Sequence, residues 1–220
     1  MRITLPSGTA AEVARPGDPS CEPSQGLVVI PDIMGMRPLF DELVQGLADD
    51  NDWVVATFEV FPGNEDKDLD WRLTNAGMLD DDRVIGDAVA SAEATGCERM
   101  GVIGFCMGGM FTLKAAGTGR FSRAVSFYGM VRVPQMWRSE TQGEPLDYLA
   151  RPESCPVLGI EGGADQWVPP TDIDALRATG AEVVVYDGAE HGFVHDPSRP
   201  AHRADFAVEA WPRAIAFLEG

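Results

Sequence analysis

The sequence predicts an α/β fold, a mostly parallel sheet with helices on both faces. Short β-branched runs alternate in strict turn with stretches whose apolar residues recur at helical spacing, and the links between them are short, the pattern of parallel strands joined by crossover helices. The 220 residues fit one core, since single cores grow to roughly 250 residues before chains split, so 1–220 is expected to be one domain. In chain order, Ile3 to Val13 carries Pro6-Ser7-Gly8 between two alternating stretches and reads as an edge hairpin. Leu27 to Ile30 is a strand, Pro38 to Leu47 a helix, Trp53 to Phe58 a strand and Arg83 to Ala94 a helix. Met100 to Ile103 is a strand that runs straight into a helix over Met107 to Ala116. Strands follow over Ala124 to Tyr128 and Val157 to Glu161, then a helix from Thr171 to Ala178 behind two prolines, a strand from Glu182 to Tyr186 and a closing helix from Ala204 to Leu218. Phe61 to Asp80 and Met130 to Glu153 remain irregular; both can reach the carboxyl ends of the strands, where open α/β sheets bind ligands.

The hydrophobic fraction of 45% supports a full core, and the net charge of −18 disfavours nucleic acid and anionic membranes, which are held by clustered Lys and Arg. The acidic runs Asp49-Asp50-Asn51-Asp52 and Asp80-Asp81-Asp82 read as solvated surface. No stretch has the apolar length of a signal peptide or a membrane span, so a cytoplasmic protein is expected, with a monomer as the default. The four cysteines lack the paired spacing of a zinc site, and Cys97 and Cys155 read as small buried hydrophobes. Of the three histidines, His202 stands where a helix cap would, while His191 and His195 lack a third ligand at a plausible spacing; neither metal nor cofactor is expected.

Gly104-Phe105-Cys106-Met107-Gly108 follows a strand and opens a helix. A nucleophile on so tight a turn needs glycines two residues to either side, and the turn lifts its side chain clear of the sheet at a helix N-terminus, which favours a thiolate. Asp165 follows the next strand but one, and His191 the strand after that, giving the order nucleophile, acid, base. An oxyanion hole needs the amide of Met107, next after the nucleophile, and a second amide from an earlier turn; in Pro31-Asp32-Ile33-Met34-Gly35 that donor is Ile33. Asp32 then stands at the mouth of the site, His195 can line it, and Arg37 and Arg72 are the basic residues on the loops expected to face it. The chemistry these residues suit is acyl transfer from small esters or lactones through a thioester, with Asp165 orienting His191. A histidine base would make activity fall below roughly pH 6 as the imidazole protonates. The reading from another class is a ligand-binding relative without turnover, and a burst with a chromogenic ester separates the two.

With these residues in place, the chain resembles the dienelactone hydrolases (carboxymethylenebutenolidases) of the α/β-hydrolase superfamily over nearly its whole length. The resemblance rests on Gly104 to Gly109, Gly163-Ala164-Asp165, His191-Gly192-Phe193, the turn up to Gly35, and Phe127-Tyr128-Gly129. It implies Cys106 as nucleophile, His191 as base and Asp165 as its orienter, and it matches Asp32 to a family glutamate that helps ionise the cysteine. The family's two substrate-binding arginines are not matched: His195 stands at one position, and Phe61-Pro62-Gly63 lies near the other. On that ground neutral small esters or lactones are expected to be preferred over carboxylated dienelactones.

Overall fold

The computed structural model describes residues 1–18 and 20–220. Strands β1 (Arg2–Thr4) and β2 (Ala10–Ala14) form an antiparallel hairpin, and β2 pairs antiparallel with β4 (Trp53–Phe58). From β4 onward the sheet is parallel, through β3 (Gln25–Ile30), β5 (Met100–Phe105), β6 (Arg123–Phe127), β7 (Val157–Gly162) and β8 (Glu182–Tyr186). The eight-stranded order is β1-β2-β4-β3-β5-β6-β7-β8. Between β3, β4, β5, β6 and β7 every residue but one is buried, which is why these strands read as unbroken apolar runs and not as alternating ones. This is the expected α/β architecture, a mostly parallel sheet with helices packed on it.

Helices α1 (Pro38–Asn51) and α7 (Ala204–Glu219) flank a long groove. Helices α3 (Asp81–Thr95), α4 (Met107–Ala116), α5 (Pro145–Leu149) and α6 (Pro170–Ala178) complete the main set. The irregular stretch 61–80 holds a short helix, α2 (Leu69–Asn75), which Asp68 caps by accepting from the Trp71 amide. Its polar sequence hides the helix, because only Arg72 among its residues is buried. His202 does not cap α7: the N-cap residue is Arg203, and it makes no side-chain cap. Cys97 and Cys155 are partly buried against the core. Among the described residues no helix is long and apolar enough to cross a membrane.

The chain runs from β3 outward to β4 and then returns to the other side of β3 as β5. Strand order reverses between β3 and β5, and in open α/β sheets that reversal leaves a crevice at the strands' carboxyl ends. The turn after β3 is Pro31 to Gly35, and the residue after β5 is Cys106. Topology alone therefore brings these two segments side by side.

Candidate active site

Cys106 adopts φ 58° and ψ −121°, a left-handed conformation that an L-residue holds only when its surroundings impose it. Its amide donates to the Phe127 carbonyl at 3.0 Å, and its carbonyl accepts from Met110 at 3.1 Å, so the turn is pinned on both sides. Gly108 is required by the close approach of α4 to the first turn: a Cβ there would fall onto the carbonyls of Ile30 and Pro31. The sulfur is thereby set at the N-terminus of α4, where the dipole favours negative charge. The amides of Ile33 and Met107 come from the two segments flanking the strand reversal, and neither has a backbone acceptor among the described residues.

Asp165 and His191 are tied together through their loops. Gly163 donates to the Tyr186 carbonyl at 2.8 Å and Ala164 to the Ala189 carbonyl at 2.9 Å. The Asp165 carboxylate accepts from the Trp167 amide at 2.8 Å through Oδ1, and Oδ2 lies 2.7 Å from His191 Nδ1. An ionised carboxylate only accepts, so Nδ1 carries the proton and Nε2 is turned to the sulfur side. Nε2 is buried and has no hydrogen-bond partner among the described residues, and Cys106 opens into the same cavity. Burial disfavours the imidazolium, but the Cys106 charge and the hydrogen bond to Asp165 outweigh it and raise the pKa of His191 to about 10. The expected fall in activity below roughly pH 6 thus meets a His191 pKa raised well past that range, and the pH profile of the rate separates the two. Glu161, on β7, is fully buried and neither of its oxygens is bonded among the described residues. Burial, with the neighbouring Asp165, pushes its carboxyl well above the usual carboxylate range.

Cys106, His191 and Ile33 open into a cavity of about 330 Å³ whose walls include Leu69, Trp137 and Trp167. The two indoles stack with centroids 5.5 Å apart, and Trp137 is anchored by donating from Nε1 to the Leu73 carbonyl at 2.9 Å. The groove between α1 and α7 is larger, about 710 Å³, but neither Cys106, Asp165 nor His191 reaches it; chemistry, not size, selects the smaller cavity.

The remaining sequence candidates separate. Arg37 lines the cavity while forking onto Asp32, Nη1 to Oδ1 at 2.7 Å and Nη2 to Oδ2 at 2.9 Å. His195 does not line the cavity; its ring is wholly buried, with Nε2 2.8 Å from Asp32 Oδ2 and Nδ1 2.5 Å from the Tyr128 hydroxyl. Arg72 does not face the cavity either. It is 1% exposed, its guanidinium donates to the carbonyls of Ile33, Asn64, Glu65 and Lys67, and it pairs with buried Glu59 at 3.6 Å. Arg72 props the Ile33 turn from beneath instead of offering charge to a substrate. Glu59, missed in the sequence, ties the same turn by accepting from the amides of Met36 and Phe61 at 2.9 and 2.8 Å.

Arg199 is the other omission. The turn Asp196 to Arg199, closed by a 3.2 Å hydrogen bond from the Arg199 amide to the Asp196 carbonyl, brings its side chain back over Gly192 and into the cavity wall. Gly192 has φ +80°, and a Cβ there would stand 2.8 Å from the Arg199 guanidinium carbon. Among the described residues Arg199 has no carboxylate partner, whereas Arg37 has Asp32. Of the two arginines expected to face the site, Arg37 does so and Arg72 does not, and Arg199, not singled out in the sequence, joins Arg37 on the wall of the space that Cys106 opens into. The signal lay in the loop after His191, long enough to fold back on itself.

The dienelactone hydrolase family profile matches residues 9–220. A protein of Methylorubrum extorquens assigned as a carboxymethylenebutenolidase is 40% identical over 136 residues, which is 57% of this chain and 45% of that protein. One of Escherichia coli K12 with the same assignment is 29% identical over 209 residues, 88% of this chain and 76% of its own length. The crystal structure of a Klebsiella pneumoniae chain assigned as a dienelactone hydrolase superposes with a TM-score of 0.86 at 25% identity, covering 100% of this chain and 97% of that one. The chain belongs to the dienelactone hydrolase family, a family of ester and lactone hydrolases.

Proposed function

We propose that this chain hydrolyses small esters or lactones through Cys106, His191 and Asp165 by way of a thioester. The single observation that supports it most is the position of Cys106, held on a strained turn between two unengaged amides, with the Asp165-bonded His191 in the same cavity. The thiolate attacks the carbonyl carbon, a C–S bond forms, and the electron pair moves onto the carbonyl oxygen, which the amides of Ile33 and Met107 stabilise. Collapse breaks the ester C–O bond, and the imidazolium of His191 gives its Nε2 proton to the departing oxygen. Neutral His191 then takes a proton from water, the hydroxide adds to the thioester, and the thiolate leaves as the acid is released. In a lactone the departing oxygen stays tethered until that second step.

The substrate is further proposed to carry a carboxylate beside the reacting carbonyl. A buried anion next to a thiolate needs a paired cation, and Arg199, with no acid of its own among the described residues, is placed to provide one while Arg37 backs it. The test is mass spectrometry of the intact protein after brief incubation with p-nitrophenyl acetate, with peptide mapping of the adduct. One acetyl group on Cys106 is expected, together with loss of turnover by about 10³-fold or more in Cys106→Ala. An alanine variant that keeps a tenth of the rate refutes the reading.

A further inference from the structure

The turn that presents Ile33 is held by a buried polar chain outside the reaction centre. Asp32 accepts four hydrogen bonds: Oδ1 takes Arg37 Nη1 at 2.7 Å and the Met34 amide at 2.9 Å, and Oδ2 takes Arg37 Nη2 at 2.9 Å and His195 Nε2 at 2.8 Å. A carboxylate offers about four lone-pair positions, so this one is full. The chain continues from His195 Nδ1 to the hydroxyl of Tyr128. Tyr128 has φ 39°, is fully buried, and sets its ring edge-on to His191 with centroids 5.3 Å apart. One polar chain thus runs from beside the candidate base to the turn that carries a candidate oxyanion donor.

We infer that Asp32, locked by Arg37, His195 and the Met34 amide, is a positioning residue that fixes the Ile33 turn, and that it does not draw the proton from Cys106. The inference rests on Cys106 being the nucleophile. The proton inventory fits throughout. His195 donates from Nε2 and accepts at Nδ1, which makes it the neutral ring, and burial, aided by the charges of Arg37 and Arg199, holds its pKa below the ordinary range against the pull of Asp32. Burial keeps the Tyr128 phenol protonated, so it is the donor to His195. At Asp32 burial opposes the charge, but the hydrogen bonds from His195 and Arg37 outweigh it and leave the carboxyl well below the usual carboxylate range. A base so deeply ionised, with every lone pair engaged, has neither the affinity nor the free site for a thiol proton. The titratable side chain that shares the cavity with the sulfur and is coupled to it is instead His191.

The experiment compares wild type, Asp32→Asn, Asp32→Glu and Tyr128→Phe in two readouts: the rate of Cys106 alkylation by iodoacetamide at pH 7, resolved from the other cysteines by peptide mapping, and kcat and KM for a neutral aryl ester. In Asp32→Asn, kcat is expected to fall roughly 10- to 100-fold with KM within about threefold, the pattern of a donor misplaced in the transition state. Alkylation is expected to stay the same or quicken, because removing the Asp32 charge leaves Arg37, on the wall of the same cavity as the sulfur, with only the 3.7 Å contact to Asp196. Tyr128→Phe, which spares Asp32 itself, is expected to lower kcat severalfold with alkylation unchanged, and it tests the chain even where Asp32→Asn folds poorly. Alkylation that slows tenfold or more in Asp32→Asn and recovers in Asp32→Glu would overturn the inference, as would wild-type kcat in Tyr128→Phe. Full alkylation of Cys106 that leaves wild-type hydrolysis intact would overturn the nucleophile assignment, and this inference with it.

Discussion

His191 and His195 stand four residues apart on one loop, the first largely and the second wholly buried, and each bonds the carboxylate of an aspartate, His191 that of Asp165 and His195 that of Asp32. Their charge states nevertheless diverge, His191 raised to about 10 and His195 lowered below the ordinary histidine range. Burial disfavours the cation at both, so burial cannot be the cause of the difference. At His191 the pull of an ionised Cys106 sulfur and the hydrogen bond to Asp165 both favour the cation. At His195 the aspartate is already matched by the fork of Arg37, and Arg199 adds a second positive charge. The same residue type with the same kind of partner becomes an acid–base group or a neutral strut according to what else the aspartate holds.

Exchanging each histidine for asparagine is the largest test of that contrast. His191→Asn is expected to lower kcat/KM for p-nitrophenyl acetate by about 10⁴, the loss seen when an acid–base group of a triad is removed. His195→Asn, which keeps a donor for Asp32 but loses the bond to Tyr128, is expected to lose roughly tenfold, mostly in kcat. Losses of equal size would mean that the two rings are not doing different work.

A smaller effect is expected on the cationic side. Arg199→Gln removes a charge that faces the cavity without taking a partner from any carboxylate among the described residues, so it should fold normally. We expect kcat/KM for a carboxymethylene butenolide to fall 10- to 100-fold, in line with a charge-assisted hydrogen bond of about 1.5–3 kcal/mol, and that for a neutral ester to change less than about threefold. Equal losses on both substrates would assign Arg199 to packing on Gly192.

The order of strands and helices was legible because the central strands are buried on both faces and therefore read as apolar runs between amphipathic helices. The elbow, Asp165 and His191 were legible because each sits directly after a strand, where chain order fixes position. What escaped is what depends on side-chain direction across long separations. Arg72 and Arg199 are both arginines in irregular stretches, and only the tertiary fold turns the first inward to carbonyls of the 64–67 loop and the second back over Gly192. Helix α2 escaped for a related reason: its first turn is set by the Asp68 cap and its residues are mostly solvent-facing, which gives no apolar period to detect.

The smallest effect, and the most direct reading of the contrast, lies in pH. The folded pKa of His191, about 10, stands above the ordinary histidine value of about 6.5. Its contribution to stability is therefore fully present below about pH 6.5 and is lost as pH rises through about 10. His195 has the opposite sign: its lowered pKa leaves it neutral when folded, so stability is lost as pH falls through the ordinary histidine range, where the unfolded chain binds the proton more readily. The kinetic consequence falls on His191 alone. In the proposed mechanism its proton is what the leaving oxygen receives, so kcat/KM for a neutral ester should be level between about pH 7 and 9 and should halve near 10 as the imidazolium disappears. The profile should be measured on p-nitrophenyl acetate with the hydroxide background subtracted. A rate that climbs through pH 6 to 7 as a single group loses its proton would instead make His191 a neutral base at rest. In Cys106→Ala the largest influence raising His191 is gone, and the ring should titrate, by proton NMR, well below its wild-type position; an unmoved titration would show that Asp165 alone sets it, and the sulfur would then have no part in the difference between the two histidines.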